Sequence, residues 1–247
     1  MNKLFDRLYF IGPMSLGDHF VFNGISHYYG DRTDELHLPC LPCYYDTVSC
    51  LYQDYPNIKV VPIAVEEEES YVKTHNLSVI KRVPMQHTIV RGVDIHPVWD
   101  MQVYANYELP FGMRYTNFRL PNKINGAEEL YWKLTNGLPY ILIHRYTGDH
   151  PNGIPIDVDG YRIGLGLPEL LTIEIDQNIA ANMMQLMTLI ERANEIHVVP
   201  SSVHCLVDSV KTNAKLFFHD VREKTSMAVN SAWNGNKWNI LHYPHRL

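Results

Sequence analysis

Nothing in the sequence is both long and apolar enough to cross a bilayer, since no hydrophobic run approaches the roughly 18 residues required. The first residues, Met1-Asn2-Lys3-Leu4-Phe5-Asp6-Arg7, carry charge but lack the apolar core and small-residue cleavage site of a signal peptide. Cysteine is scarce, four in 247 residues, which is too few for a disulfide scaffold and makes the reducing cytoplasm the expected location. A basic excess is missing too. The net charge of −6 and pI of about 6.1 count against a dedicated nucleic-acid binder. They leave a nucleotide pocket open, because such a pocket needs only one or two local cations. G-x-S-x-G, H-E-x-x-H, Walker and G-x-G-x-x-G motifs are all absent, which removes the common hydrolase, zinc-protease, P-loop and dinucleotide readings. Gly164-Leu165-Gly166 has no third glycine and precedes a strand rather than a helix.

What is present is an ordinary globular composition, 46% hydrophobic and 19% charged, long enough for one large domain or two small ones. Leu8 to Ile11 is a short apolar run bounded by Gly12-Pro13, which suits a buried strand. Asp18 then opens a helical pattern, with apolar Val21, Ile25 and Tyr28 and a stop at Gly30, and Gly17 lies in the turn before it. Strands are expected at Glu35–Pro39 and Ile58–Ala64, with a helix over Tyr44–Tyr55 between them. Such alternation with short connections marks a parallel sheet. The segment Tyr71–Arg82 has no clear period. A strand at His87–Arg91 and a helix over His96–Glu108 follow, and Leu109-Pro110-Phe111-Gly112 opens a linker. The rhythm restarts with a helix over Ala127–Leu134 and the continuous apolar strand Pro139–His144. Beyond it come a strand at Leu170–Ile175, a long helix over Asn178–Asn194, a strand at Ile196–Val199, a helix at Val203–Val210 and a strand at Leu216–Phe218. The tail, with Trp233 and Trp238, is expected to pack back across the molecule.

Three further patterns have bland readings. Cys40, Cys43 and Cys50 contain a single C-x-x-C without the second pair of a structural zinc site, and Pro39 and Pro42 make it a stiff strand-to-helix connection. Glu66 to Glu69 read as the solvated first turn of a helix, where carboxylates suit the dipole. Asp157-Val158-Asp159 matches the D-x-D of metal-dependent glycosyltransferases, but the pattern is cheap and lies in a Gly/Pro-rich loop, so no metal is expected there.

Ser15-Leu16-Gly17-Asp18, placed behind the first strand and ahead of an apolar helix, resembles the start of the heptosyltransferase type of GT-B glycosyltransferase. In the second half, Glu195 to Asp208 (EIHVVPSSVHCLVD) resembles the strand, serine pair and helix of the donor lobe in heptosyltransferase-like and fucosyltransferase-like enzymes. The match covers about residues 7–64 and 126–212, and the chain is shorter than typical members. The resemblance implies two Rossmann-like lobes with parallel sheets and a cleft between them. Residues 1–120 would form the acceptor-side lobe and residues 121–247 the nucleotide-sugar donor-side lobe.

It further implies sugar transfer from a nucleotide-sugar donor to a glycan or other hydroxyl acceptor, inverting and without a metal or other cofactor. Asp18 is the candidate base, with Gly17 letting backbone approach the ligand. Ser201, Ser202 and His204 are candidates to hold the diphosphate, because helix N-terminal amides and hydroxyls offer donors in a partial positive field. His144 and Arg145 end the central strand, and in fucosyltransferase-like members an arginine at such a position contacts the donor phosphate. The rival readings are a non-catalytic protein of the same fold that binds a nucleotide or glycan or serves in an assembly, and a sugar-nucleotide epimerase, which the missing glycine fingerprint disfavours.

Overall fold

The structure is a computed structural model that describes residues 5–10, 14–80, 88–90, 93–95, 99–147, 156, 170–176, 178–221 and 236–243. The described chain divides into two compact units, one ending at Lys123 and the other beginning at Ile124. The boundary expected from the sequence lay after residue 120. Ile11, Asp157, Asp159, Gly164, Gly166 and Trp233, singled out above, lie outside the described residues.

The first unit alternates β1 (Phe5–Phe10), α1 (Leu16–Gly30), β2 (Thr33–Cys40), α2 (Tyr45–Tyr52), β3 (Ile58–Pro62), α3 (Glu68–His75) and β4 (Ser78–Ile80). Its sheet has the order β3-β2-β1-β4, and every pair is parallel. Leu8 to Phe10 and Leu36 to Cys40 are buried without interruption, as expected for strands covered on both faces. A short antiparallel hairpin, β5 (Thr88–Val90) with β6 (Val93–Ile95), and the helices α4 (Trp99–Asn106) and α5 (Met113–Thr116) follow. Glu66 and Glu67 occupy a 3-10 turn that runs into α3, where the charge run was expected to start a helix.

Helix α1 is enclosed by the rest of this unit, which explains its weak amphipathic pattern. His19 through His27 are all buried. The polar members of that run have structural tasks. Asn23 donates to the Arg119 carbonyl at 3.2 Å and accepts from the Arg119 amide at 2.8 Å. Asn117 donates to the Gly24 carbonyl at 2.6 Å, and a side chain on Gly24 would collide with the Met113 carbonyl. A polar seam thus fastens residues 113–119 onto α1. Beside it the fully buried Arg114 guanidinium pairs with the Asp100 carboxylate.

The second unit contains α6 (Ala127–Thr135), β7 (Tyr140–His144), β8 (Leu171–Glu174), α7 (Met187–Arg192), β9 (Glu195–Val198), α8 (Ser202–Ser209), β10 (Lys215–Asp220) and β11 (Trp238–His242). The sheet order is β11-β10-β9-β7-β8, again parallel throughout. The long helix expected over Asn178–Asn194 is corrected: a 3-10 turn spans Met183–Leu186, and α7 begins only at Met187. Gln185 explains the delay. Its side chain accepts from the Ala181 amide at 2.9 Å and donates to the Asn125 carbonyl at 3.2 Å, which holds the preceding backbone in an irregular path. Trp238, in the tail expected to pack back across the molecule, is buried and begins β11. Among the described residues, no helix is long and apolar enough to cross a membrane.

The two histidines inside α1 generate a pH prediction. Burial lowers the pKa of His19 to about 3, and burial together with Arg119 lowers that of His27 to about 4, from 6.5. Above pH 6.5 both folded and unfolded chains hold neutral rings. Below it the unfolded chain takes protons that the folded chain refuses, so stability falls with acidification through the window from 6.5 to about 4. The slope is at most about 1.4 kcal/mol per pH unit for each ring. Urea denaturation should therefore show a lower midpoint at about pH 5 than at about pH 7, and His27→Gln should flatten the dependence. A midpoint as pH-dependent in His27→Gln as in the wild type would contradict neutral burial of His27.

Candidate active site

Open parallel sheets bind ligands at the carboxyl ends of their strands, at the point where the strand order reverses. In the second unit the reversal lies between β7 and β9, because β8 was added on one side of β7 and β9 to β11 on the other. Arg145 immediately follows β7, and the turn after β9 carries Ser201 and Ser202. The Val199 amide donates to the His144 carbonyl at 3.2 Å and holds these two strand ends together.

Each side chain there has a definable task. Ser201 is the N-cap of α8: its Oγ accepts the His204 amide at 3.3 Å and donates to the Val199 carbonyl at 3.0 Å. Ser202 is the first helical residue and is half-buried. Glu174, at the end of β8, accepts from the Tyr146 hydroxyl at 2.8 Å and pairs with Arg145 Nε at 2.9 Å. That contact is an ion pair without the alignment of a hydrogen bond at Nε. Arg145 keeps about a quarter of its side chain exposed, at 26%.

The rings of the other two predicted donor-site residues, His144 and His204, are engaged within the fold. His144 donates from Nδ1 to the Ile175 carbonyl at 2.9 Å, and burial lowers its pKa, so it is a neutral brace between the ends of β7 and β8. His204 was expected to face the diphosphate. Instead it is fully buried, its ring 4.6 Å from that of Phe218 and 5.1 Å from that of Trp238. Helix α8 has to lay one face on β10 and β11, and position 204 falls on that face.

In the first unit the strand order reverses between β1 and β4, and α1 starts just past the end of β1. Asp18 was expected to cap this helix with Gly17 in the preceding turn, and both placements are corrected. Ser15 is the N-cap, Gly17 lies inside the first turn, and Asp18 is the third helical residue. The Ser15 amide donates to Asp18 Oδ2 at 3.2 Å, the reciprocal bond of a capping box. Ser15-x-x-Asp18 is the sequence signature of that box, so the true cap was visible in the sequence. Tyr44, in the turn ahead of α2, has a raised pKa through burial and then the charges of Cys43 and Asp18. The Asp18 carboxylate therefore shares its edge of the sheet with the β2–α2 turn.

Among the described residues no three His, Cys, Asp or Glu side chains converge as a metal site. Cys40, Cys43 and Cys50 are free thiols. Sequence reasoning missed Glu174, although a carboxylate ending a strand next to an Arg-bearing strand is a readable signal.

No protein-family profile and no curated protein matches the sequence. Solved structures do match the fold. The glycosyl transferase family 9 protein of Veillonella parvula superposes with a TM-score of 0.56 at 9% identity, covering 98% of this chain and 87% of that one. ADP-heptose LPS heptosyltransferase II of E. coli gives 0.53 at 9% identity, covering 95% and 90%. The iron-containing dodecameric glycosyltransferase TibC of enterotoxigenic E. coli gives 0.59 at 14% identity, covering 99% of this chain and 65% of that one. At these identities the likeness is one of fold. The chain has the α/β fold of GT-B glycosyltransferases, with two Rossmann-like parallel sheets.

The capping role of Ser201 is separable from any ligand. Ser201→Ala should lower stability by about 1 kcal/mol and Ser201→Gly by only a few tenths, read by urea denaturation without ligand. Equal stability of the alanine variant and the wild type would remove the cap from the account of this turn.

Proposed function

We propose that this chain transfers a sugar from a nucleotide-sugar donor to an acceptor hydroxyl, with inversion and without a metal. The observation that carries the reading is the gathering of Arg145, Ser201, Ser202 and the N-terminus of α8 at the β7/β9 reversal point of a GT-B sheet. As the bond to the donor sugar breaks, negative charge grows on the departing diphosphate. The amides and hydroxyls at the start of α8 are fixed donors for that charge, and they need no reorganisation during the reaction. Arg145, ion-paired with Glu174 and partly exposed, supplies a guanidinium suited to bidentate contact with phosphate oxygens. These groups supply the positive field that a divalent ion supplies in other glycosyltransferases.

Asp18 serves as the base that accepts the proton of the attacking hydroxyl. Its place in the first turn of α1 favours the carboxylate form, so its contribution comes from positioning rather than basicity. One base with no enzyme nucleophile leads to inversion, by analogy with inverting glycosidases.

A thermal-shift screen with nucleoside diphosphates and their sugars tests donor binding, since a ligand held only by the folded chain raises its melting temperature. Arg145→Ala should weaken diphosphate binding by about 1.5–3 kcal/mol and leave the free nucleoside nearly unaffected. Equal losses for both ligands would mean that Arg145 does not serve the phosphates.

Transfer itself is tested at Asp18. Asp18→Asn keeps an oxygen to accept the Ser15 amide, so fold and donor affinity should persist while transfer falls by about 10²–10⁴. An asparagine variant with full transfer activity removes Asp18 from the chemistry. A wild type that binds donors and transfers nothing is a binding module.

A further inference from the structure

Helix α3 lies on the first sheet without fully burying a side chain. None of its residues is buried, whereas α1, α2, α4 and α5 each bury at least one. Polar groups anchor it. At its start the Tyr9 hydroxyl donates to Glu68 Oε1 at 3.0 Å. At its end a terminal nitrogen of Arg7 donates to the His75 carbonyl at 2.8 Å. Between these two contacts stands His37 of β2. Its Nε2 is hydrogen-bonded to the Glu35 carboxylate, and its Nδ1 lies 2.8 Å from the Tyr71 hydroxyl of α3. Arg7 also donates to the same Glu35 oxygen, at 3.0 Å. His37 is buried, and half-buried Tyr71 packs against it with ring centroids 5.7 Å apart.

The direction of these hydrogen bonds depends on the charge of His37. A carboxylate only accepts, so Glu35 fixes the His37 proton on Nε2. Nδ1 of the neutral ring then accepts the Tyr71 proton, and this bond pins the middle of α3 to the sheet. A second proton would make Nδ1 a donor, force the Tyr71 hydroxyl to turn its own proton away, and leave a cation beneath the helix. The surroundings of the ring are divided. Glu35 favours the cation, whereas Arg7 on β1 and His75 on α3 oppose it. Tyr9 on β1 and Lys59 on β3 stand level with His37 in register, and Lys59 adds a further positive charge. Burial outweighs Glu35, so the His37 pKa is lowered from 6.5.

We propose that α3 is a pH-governed flap, latched to the sheet through Tyr71 while His37 is neutral and lifted from it, without unfolding of α1, when His37 takes up a proton. Lifting α3 returns the His37 ring to water. The docked ring refuses protons that the lifted ring accepts, so lifting is favoured as the pH falls below 6.5. One proton is involved, which limits the rise of the opening constant to about tenfold per pH unit. A helix of eight residues is not stable alone, so the lifted segment loses its helical form. The turn between β3 and α3, on the carboxyl edge of the sheet, moves with it.

Native-state hydrogen exchange, with each rate referred to that of an unstructured chain at the same pH, tests the flap. At about pH 7 the amides of α3 should exchange through an opening that leaves the α1 amides protected. The α3 opening constant should rise about threefold to tenfold between about pH 6 and about pH 5. In His37→Gln the amide can still donate to Glu35 and accept from Tyr71, so α3 should stay protected and its pH dependence should flatten. Tyr71→Phe, at a half-exposed position, tests the latch even where the glutamine variant does not fold. It should raise the α3 opening constant about fivefold or more at about pH 7, the worth of one neutral hydrogen bond. Exchange of α3 only together with α1 overturns the proposal. So does an undiminished pH dependence of α3 in His37→Gln, or wild-type protection of α3 in Tyr71→Phe.

Discussion

Both large sheets are parallel throughout, and that constraint organises the molecule. Parallel neighbours cannot be joined by a tight hairpin, so the chain must cross back over a face of the sheet before each new strand. Every turn that leaves a strand toward such a crossover then lies on one edge. Asp18 and the β2–α2 turn share that edge in the first unit, and Arg145, Glu174 and Ser201 share it in the second. In each unit, that edge follows from the direction of the strands and from where their order reverses.

The first unit departs from the simple picture of an oily interior. Its central helix is buried from His19 to His27, yet that run contains two histidines, an asparagine, a serine and a glycine. The asparagine pair, Asn23 and Asn117, and the close approach at Gly24 dock the segment 113–119 in one register, which greasy contacts alone would leave free to slide. The enclosed Arg114–Asp100 pair belongs with them. Such a pair adds little net stability against an apolar substitute, whereas removing one partner strands a buried charge.

These features set what could be read from sequence. Strands buried on both faces, such as Pro139–His144 and Ile196–Val199, announce themselves as unbroken apolar runs, and the Ser201-Ser202 pair announces the helix behind it. β4 is three residues long and β11 closes the sheet at its outer edge, so neither carries a run long enough to stand out. The helix expected from Asn178 was misjudged because a periodic stripe says nothing about a side chain such as Gln185 recruiting the backbone. His204 was misjudged for the opposite reason: a polar residue beside a serine pair invites a ligand, and only packing shows the ring wedged between Phe218 and Trp238.

One bond in the first turn of α1 ties structure to acidity. The Asp18 oxygen that receives the Ser15 amide belongs to the same carboxylate that gains charge or loses it. Any proton that settles on Asp18 weakens its acceptance of that amide and its favourable interaction with the helix dipole. The start of α1 therefore loosens when the carboxyl group is neutral and tightens when it ionises. The carboxylate cannot change its charge without the helix end registering the change, and the turn that joins β1 to α1 becomes a mechanical record of its ionisation.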